Sequence, residues 1–197
     1  MIVRRTALVS IAMFAAFAGV GCSTTPSKFY SLSSTAAADG TPATPASVLV
    51  GPVTIPASVD QPEFVVEVAP NRVEVNEFNR WVAPLSDSIA RAVAGDLVAL
   101  LGTPDVASSQ LANFNPDYRV TIDVQRFESI QGQTATVEAV WTVRQTAGGQ
   151  TRSGRSVARE TVQGKDFDAL AAAHSQAIAR MSNDIAAAIR AEAELRS

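Results

Sequence analysis

The chain of 197 residues sets 16 lysines and arginines against 19 acids, a formal net charge of −3, with 47 % hydrophobic residues, 6 % aromatics, one histidine and one cysteine. A single histidine and a single cysteine cannot supply the ligand cluster of a zinc or haem centre. No lysine-rich or arginine-rich run follows the first residues, so nucleic-acid binding has no electrostatic footprint.

Arg4 and Arg5 open the chain as a positive segment, and Ala7 to Val20 then reads ALVSIAMFAAFAGV, the layout of a secretory signal. This run is too short to span a bilayer, whose core needs roughly 20 apolar residues. It stops at Gly21-Cys22, and a cysteine in that place resembles the lipobox of bacterial lipoproteins, although Gly19 stands where that motif prefers Leu. The resemblance implies cleavage before Cys22 and acylation of its thiol. An ordinary signal peptide or an anchor helix with an incidental cysteine is the alternative, but an odd thiol in an oxidising compartment calls for a reason, and lipidation supplies one. Loss of residues 1–21 takes away two of the 16 basic residues and none of the 19 acids, which moves the net charge from −3 to −5. The chain then divides into a lipoprotein signal peptide (1–21), a lipidated N-terminus with a short strand and a flexible loop (22–47), and a single globular α/β domain (48–197) that the strand 28–33 joins.

Lys28 to Ser33, KFYSLS, has the β-leaning Phe-Tyr pair of one strand. Ser34 to Ser47 holds small and polar residues with two prolines, too little apolar surface to offset its own ordering, and reads as a loop. Val48 to Ile55 is a strand interrupted by Gly51-Pro52, which predicts a bulge or an edge position. Phe64 to Ala69 and Arg72 to Phe78 flank Pro70-Asn71, turn chemistry that predicts a hairpin.

From Pro84 to Leu101 the period changes, with Leu85, Ile89, Val93, Leu97 and Leu100 spaced as one helical face and Gly102 then Pro104 as the stop. Val120, Ile122 and Val124 alternate with polar residues, as do Ala135, Val137, Ala139, Trp141 and Val143. Gly148-Gly149 turns the chain into Arg152 to Val162, the third strand of an antiparallel meander. A helix follows from about Asp166, its stripe formed by Phe167, Leu170, Ile178, Met181, Ile185 and Ile189. These elements predict an α/β fold, a two-layer sandwich in which a mixed or antiparallel β-sheet is packed by two main helices.

No catalytic set emerges. His174 falls between Leu170 and Ile178 on the apolar stripe, the place of a core-edge histidine more than of a general base, and no Gly-x-Ser-x-Gly elbow accompanies it. Phosphate-cradling glycine loops are absent, so no nucleotide or other cofactor is expected. Asp60, Glu63, Glu67, Glu74 and Glu77 are spaced like a solvated strand face. Asn79-Arg80-Trp81, at the entry to the first helix, is the more specific signal. Arg80 and Trp81 are the residue types that dominate interfaces, which makes them candidates for a partner or oligomer contact, with core packing at a strand-to-helix corner as the competing account.

The same residues bring a family into view. Val50-Gly51-Pro52-Val53-Thr54-Ile55-Pro56, Asp60-Gln61-Pro62, Asn71-Arg72-Val73 and Phe78-Asn79-Arg80-Trp81-Val82-Ala83-Pro84-Leu85 resemble, in order and spacing, the blocks of the ABC-type transport auxiliary lipoprotein family, the PqiC group. Phe29-Tyr30-Ser31-Leu32 and Asp117-Tyr118-Arg119-Val120 fit the same pattern, while Gln61 stands where that group often has a basic residue. The resemblance implies a non-enzymatic lipoprotein at the periplasmic face of the outer membrane. It also implies work with an MCE-type lipid transport system of membrane-spanning substrate-binding protein, permease and ATPase, and possible self-association into a ring. Two other classes stay open: an envelope assembly or lipid-carrying lipoprotein, which needs an apolar cavity, and an envelope hydrolase, which needs His174 or an acidic pair in a cleft.

Overall fold

Alternation of period two along the strands and a stripe of period 3.6 along two helices bury one face of each element, and in the computed structural model those faces meet. Residues 25–110 and 113–195 are described; Cys22 and the segment 1–21 lie outside them. The order is β1 (Lys28–Tyr30), β2 (Val48–Thr54), β3 (Glu63–Ala69), β4 (Arg72–Trp81), α1 (Leu85–Leu101), β5 (Val106–Ala107), β6 (Tyr118–Ile130), β7 (Thr134–Gln145), β8 (Thr151–Thr161) and α2 (Phe167–Glu194).

The result is the expected α/β sandwich with two main helices, but its strands divide into two mixed sheets, a five-stranded one ordered β5-β2-β6-β7-β8 and a three-stranded one ordered β1-β4-β3. The meander β6-β7-β8 and the hairpin β3-β4 are antiparallel, whereas β2 pairs in parallel with β5 and β6, and β1 pairs in parallel with β4. Helix α2 packs over β7 and β8 and beside α1, which itself covers β2 and β5. Gly51-Pro52 is a cis peptide inside β2, and the register with β6 slips between Val50 and Val53, the bulge that the dipeptide predicts.

The local signals act where they stand in the sequence. Asn71 adopts a left-handed conformation (φ 62°) in the β3-β4 turn, and Gly102 (φ 65°) ends α1. Pro84 is the residue before the first turn of α1, while Asp166 caps α2 by accepting from the Ala169 N–H. Gly154 is demanded by packing, because a Cβ there would lie 2.2 Å from Cζ2 of Trp141, its cross-strand partner. Trp141 fills that space and donates its indole N–H to Ser156 Oγ at 2.9 Å.

The segment from Ser34 to Ser47 has no helix or strand, as expected of a loop, yet its first residues are held by the helices. Asp96 of α1 is fully buried. Its Oδ1 accepts from Ser34 Oγ, the Thr35 N–H and the Ala36 N–H, each at 2.9 Å, and its Oδ2 accepts from Ser182 Oγ of α2, also at 2.9 Å. Ser175 Oγ accepts from the Ser33 N–H. Gly95 makes room for this strap, since a Cβ there would meet Ser34 Cβ at 2.8 Å. Farther along, Asp39 pairs with Arg190 of α2 at 3.0 Å, and the hydroxyl and N–H of Thr41, together with that guanidinium, hold the Asp39 carboxyl well below the usual carboxylate range.

Candidate functional site

Strand β4 runs into α1 through Trp81-Val82-Ala83-Pro84, and this corner is pinned on both sides. The Trp81 N–H donates to Pro62 O at 2.6 Å, and the Val82 N–H donates to Tyr30 O at 2.8 Å. Asn76 shapes the irregular strand before it by accepting at one oxygen from the N–H groups of Phe78 and Asn79 and from the Asn79 amide.

Trp81 points inward and is 5 % exposed. Its ring stacks on Phe64 with centroids 4.0 Å apart and meets Phe127 edge-on at 6.1 Å. Phe167 closes on Phe64 at 5.1 Å, and Tyr30 on Phe64 at 5.3 Å. One aromatic cluster therefore joins β1, β3, β4, β6 and α2, and within this chain Trp81 is a core residue. Arg80, its neighbour, points to the other face and reaches Glu63 at 2.6 Å, its side chain 36 % exposed. The two candidates thus part company, one inside the fold and one on its surface.

Outside Trp81 the corner is concave. Asp60, Gln61, Pro62, Val82, Ala83, Pro84 and Leu85 line a groove of about 360 Å³ with Trp81 at its wall. Its lining is mostly apolar, with one carboxylate and one amide and no nucleophile beside a base. That composition can hold an apolar side chain or a short apolar segment. Val82, an apolar member of the lining, is 62 % exposed. The sequence blocks Asp60-Gln61-Pro62 and Trp81 to Leu85 meet here because the Trp81 N–H to Pro62 O bond brings them together, a pairing with no local mark in the sequence.

His174 sits where its stripe position predicts, fully buried. The ring stacks flat on Phe127 at 3.9 Å, Nε2 shares a hydrogen bond with Ser129 Oγ at 2.8 Å, and Nδ1 is buried without a partner. Burial pushes its pKa down to about 3, so the ring is neutral at any physiological pH. A Ser–His contact invites comparison with a hydrolytic dyad, but Ser129 is 2 % exposed and no carboxylate orients the imidazole through Nδ1. Of the acids, Glu63 is taken by Arg80, and Glu74 and Glu77 are exposed on β4. Among the described residues no group of three His, Cys, Asp or Glu is placed to hold a metal ion, and no helix is long and apolar enough to cross a membrane.

Comparison with known proteins adds one family and a fold. The model of a family described as ABC-type transport auxiliary lipoprotein component matches residues 30–186. A crystal structure of an uncharacterized protein superposes with a TM-score of 0.69 at 19 % identity, covering 84 % of this chain and 99 % of that one. The crystal structure of protein XCC0632 from Xanthomonas campestris, of the family DUF330, superposes with a TM-score of 0.65 at 22 % identity, covering 80 % and 92 %. At these identities the likeness establishes a shared fold. No curated protein matches the sequence significantly.

Proposed function

Because the chain belongs to the family of ABC-type transport auxiliary lipoprotein components, we propose that it is a lipid-anchored, non-catalytic envelope protein that serves an ABC transport system through protein contact. The observation that carries this reading is the family match from residue 30 to 186, which begins eight residues after the lipobox-like Cys22. Cys22 is the proposed acylation site, and Ser23 behind it, in place of the aspartate that favours inner-membrane retention in enteric bacteria, supports the periplasmic face of the outer membrane. The proposed partners are an MCE-domain substrate-binding protein and the permease and ATPase of a lipid transport system, together with further copies of the chain in a ring. Arg80 and the groove beside Trp81 offer the contact surface, Trp81 acting from within as the support of its wall.

Affinity purification of the tagged protein from gently solubilised envelopes tests this directly. Recovery of MCE-domain and ABC-permease subunits is the expected result. Recovery of the chain without any subunit of an ABC system, under conditions where control transporter complexes survive, contradicts it.

A further inference from the structure

We propose that the outer face of the β1-β4-β3 sheet, at the end where the chain leaves toward Cys22, rests on the surface of a lipid bilayer. The inference rests on the reading of Cys22 as a lipid anchor. In the parallel register Phe29 lies opposite Arg80 and Tyr30 opposite Trp81. Tyr30 and Trp81 are buried, so alternation sends Phe29, Arg80 and Phe78 to the other side. On β3, Phe64 and Val66 are buried. Val65 and Glu67 therefore lie on the opposite face, where Val65 packs partly against the core and borders a concavity with Val59 and Phe127, and the residues opposite them, Val75 and Val73, share that face.

Phe29 is 62 % exposed, Val73 57 %, Val75 49 % and Phe78 45 %, four of the ten exposed large hydrophobics among the described residues, all on one side of one small sheet. Single exposed hydrophobics are ordinary, whereas a group of them on one face marks a contact surface. The anchor says what covers it. Five residues, Ser23 to Ser27, separate Cys22 from Lys28, a reach of about 17 Å at full extension, so a lipidated Cys22 confines this face to the neighbourhood of the bilayer. Aromatic and aliphatic side chains grouped on one face are what an interfacial site requires.

Charge selects among occupants. Glu63, Glu67, Glu74 and Glu77 outnumber the basic residues of the three strands, so attraction to anionic lipid does not drive the contact, and it forms on zwitterionic vesicles.

The chain from Cys22 onward, which contains every described residue, is coupled through its single thiol to maleimide-bearing lipid in phosphatidylcholine vesicles with brominated acyl chains. Variants Phe29→Trp and Phe78→Trp are compared with Val157→Trp, on the far edge of the larger sheet. Bromine quenching of the emission added at positions 29 and 78, with that at 157 unaffected, is the expected result. Absence of quenching at 29 and 78, or equal quenching at all three positions, overturns the proposal. A blue shift at 29 and 78 that grows with protein concentration in vesicle-free solution assigns the face to a second copy and overturns it as well. Coupling is chemical, so the outcome does not depend on whether cells acylate Cys22, which fatty-acid labelling reads separately.

Discussion

Trp81 and Arg80 are neighbours in sequence with opposite consequences when removed. Trp81→Ala empties a buried ring site among Phe64, Phe127 and His174 and is expected to cost about 3–5 kcal/mol of fold stability. Arg80→Ala breaks a partly exposed ion pair and is expected to cost no more than about 1 kcal/mol. Chemical denaturation of the two variants, run beside light scattering, separates fold from association: an Arg80→Ala protein that melts normally yet changes its oligomeric mass or partner recovery places the contact at this corner. His174 carries a pH dependence whose sign follows from its pKa. The folded value of about 3 lies below the ordinary 6.5, so the unfolded chain takes up the proton first. The stability from a neutral, buried ring is complete above about pH 6.5 and is lost as pH falls toward 3, reaching about 2 kcal/mol at pH 5. His174→Gln is expected to fold and to flatten the melting-temperature slope between pH 6.5 and 5, while leaving envelope function intact, as a structural residue should.

At the level of elements, the parts written locally were legible. Pro70-Asn71 announced the hairpin, Gly102 the end of α1, Asp166 the start of α2, and Gly148-Gly149 the turn between β7 and β8, each because backbone geometry at that point selects the residue. The pairing of β1 with β4 and of β2 with β6 was not legible. Parallel neighbours need no shared turn, so nothing in KFY or VLVGPVT names its partner; seven of the eight described strands could be placed, the two-residue β5 excepted, but they could not be sorted into two sheets. Asp96 was overlooked although it left a signal: it falls seven residues after Ile89 on the buried stripe of α1, where a carboxylate demands donors. Those donors come from the loop at 34–36 and from Ser182. Asp96→Ala is therefore expected to cost about 2–4 kcal/mol. It should also speed hydrogen exchange at the Thr35 and Ala36 amides, leaving the β6-β8 amides protected. Unchanged exchange at 35 and 36 would mean that the strap is held by something other than this carboxylate.

For the whole molecule, the proposed anchor, with the sheet face beside it, and the corner are the points at which the chain is expected to meet its surroundings. The first is proposed from a signal-like run followed by a single cysteine, both outside the described residues. The second was legible only as residue types, because the groove exists through contacts between segments some twenty residues apart. Cys22→Ala is expected to abolish fatty-acid labelling and to leave a larger precursor, detected by label incorporation and mass; persistent label in the variant would exclude this cysteine as the acylation site. The central claim is that the protein works by contact with a transport system, through the corner formed by residues 60–62 and 80–85. Its most direct measurement is crosslinking in living cells from a photoreactive amino acid at position 82, with position 157 as the comparison. An adduct with an MCE-domain or ABC-transporter subunit, or with a second copy bound in the same assembly, formed from position 82 and absent from 157, is the predicted result. Recovery of the intact transport complex with no adduct from position 82 would contradict the claim.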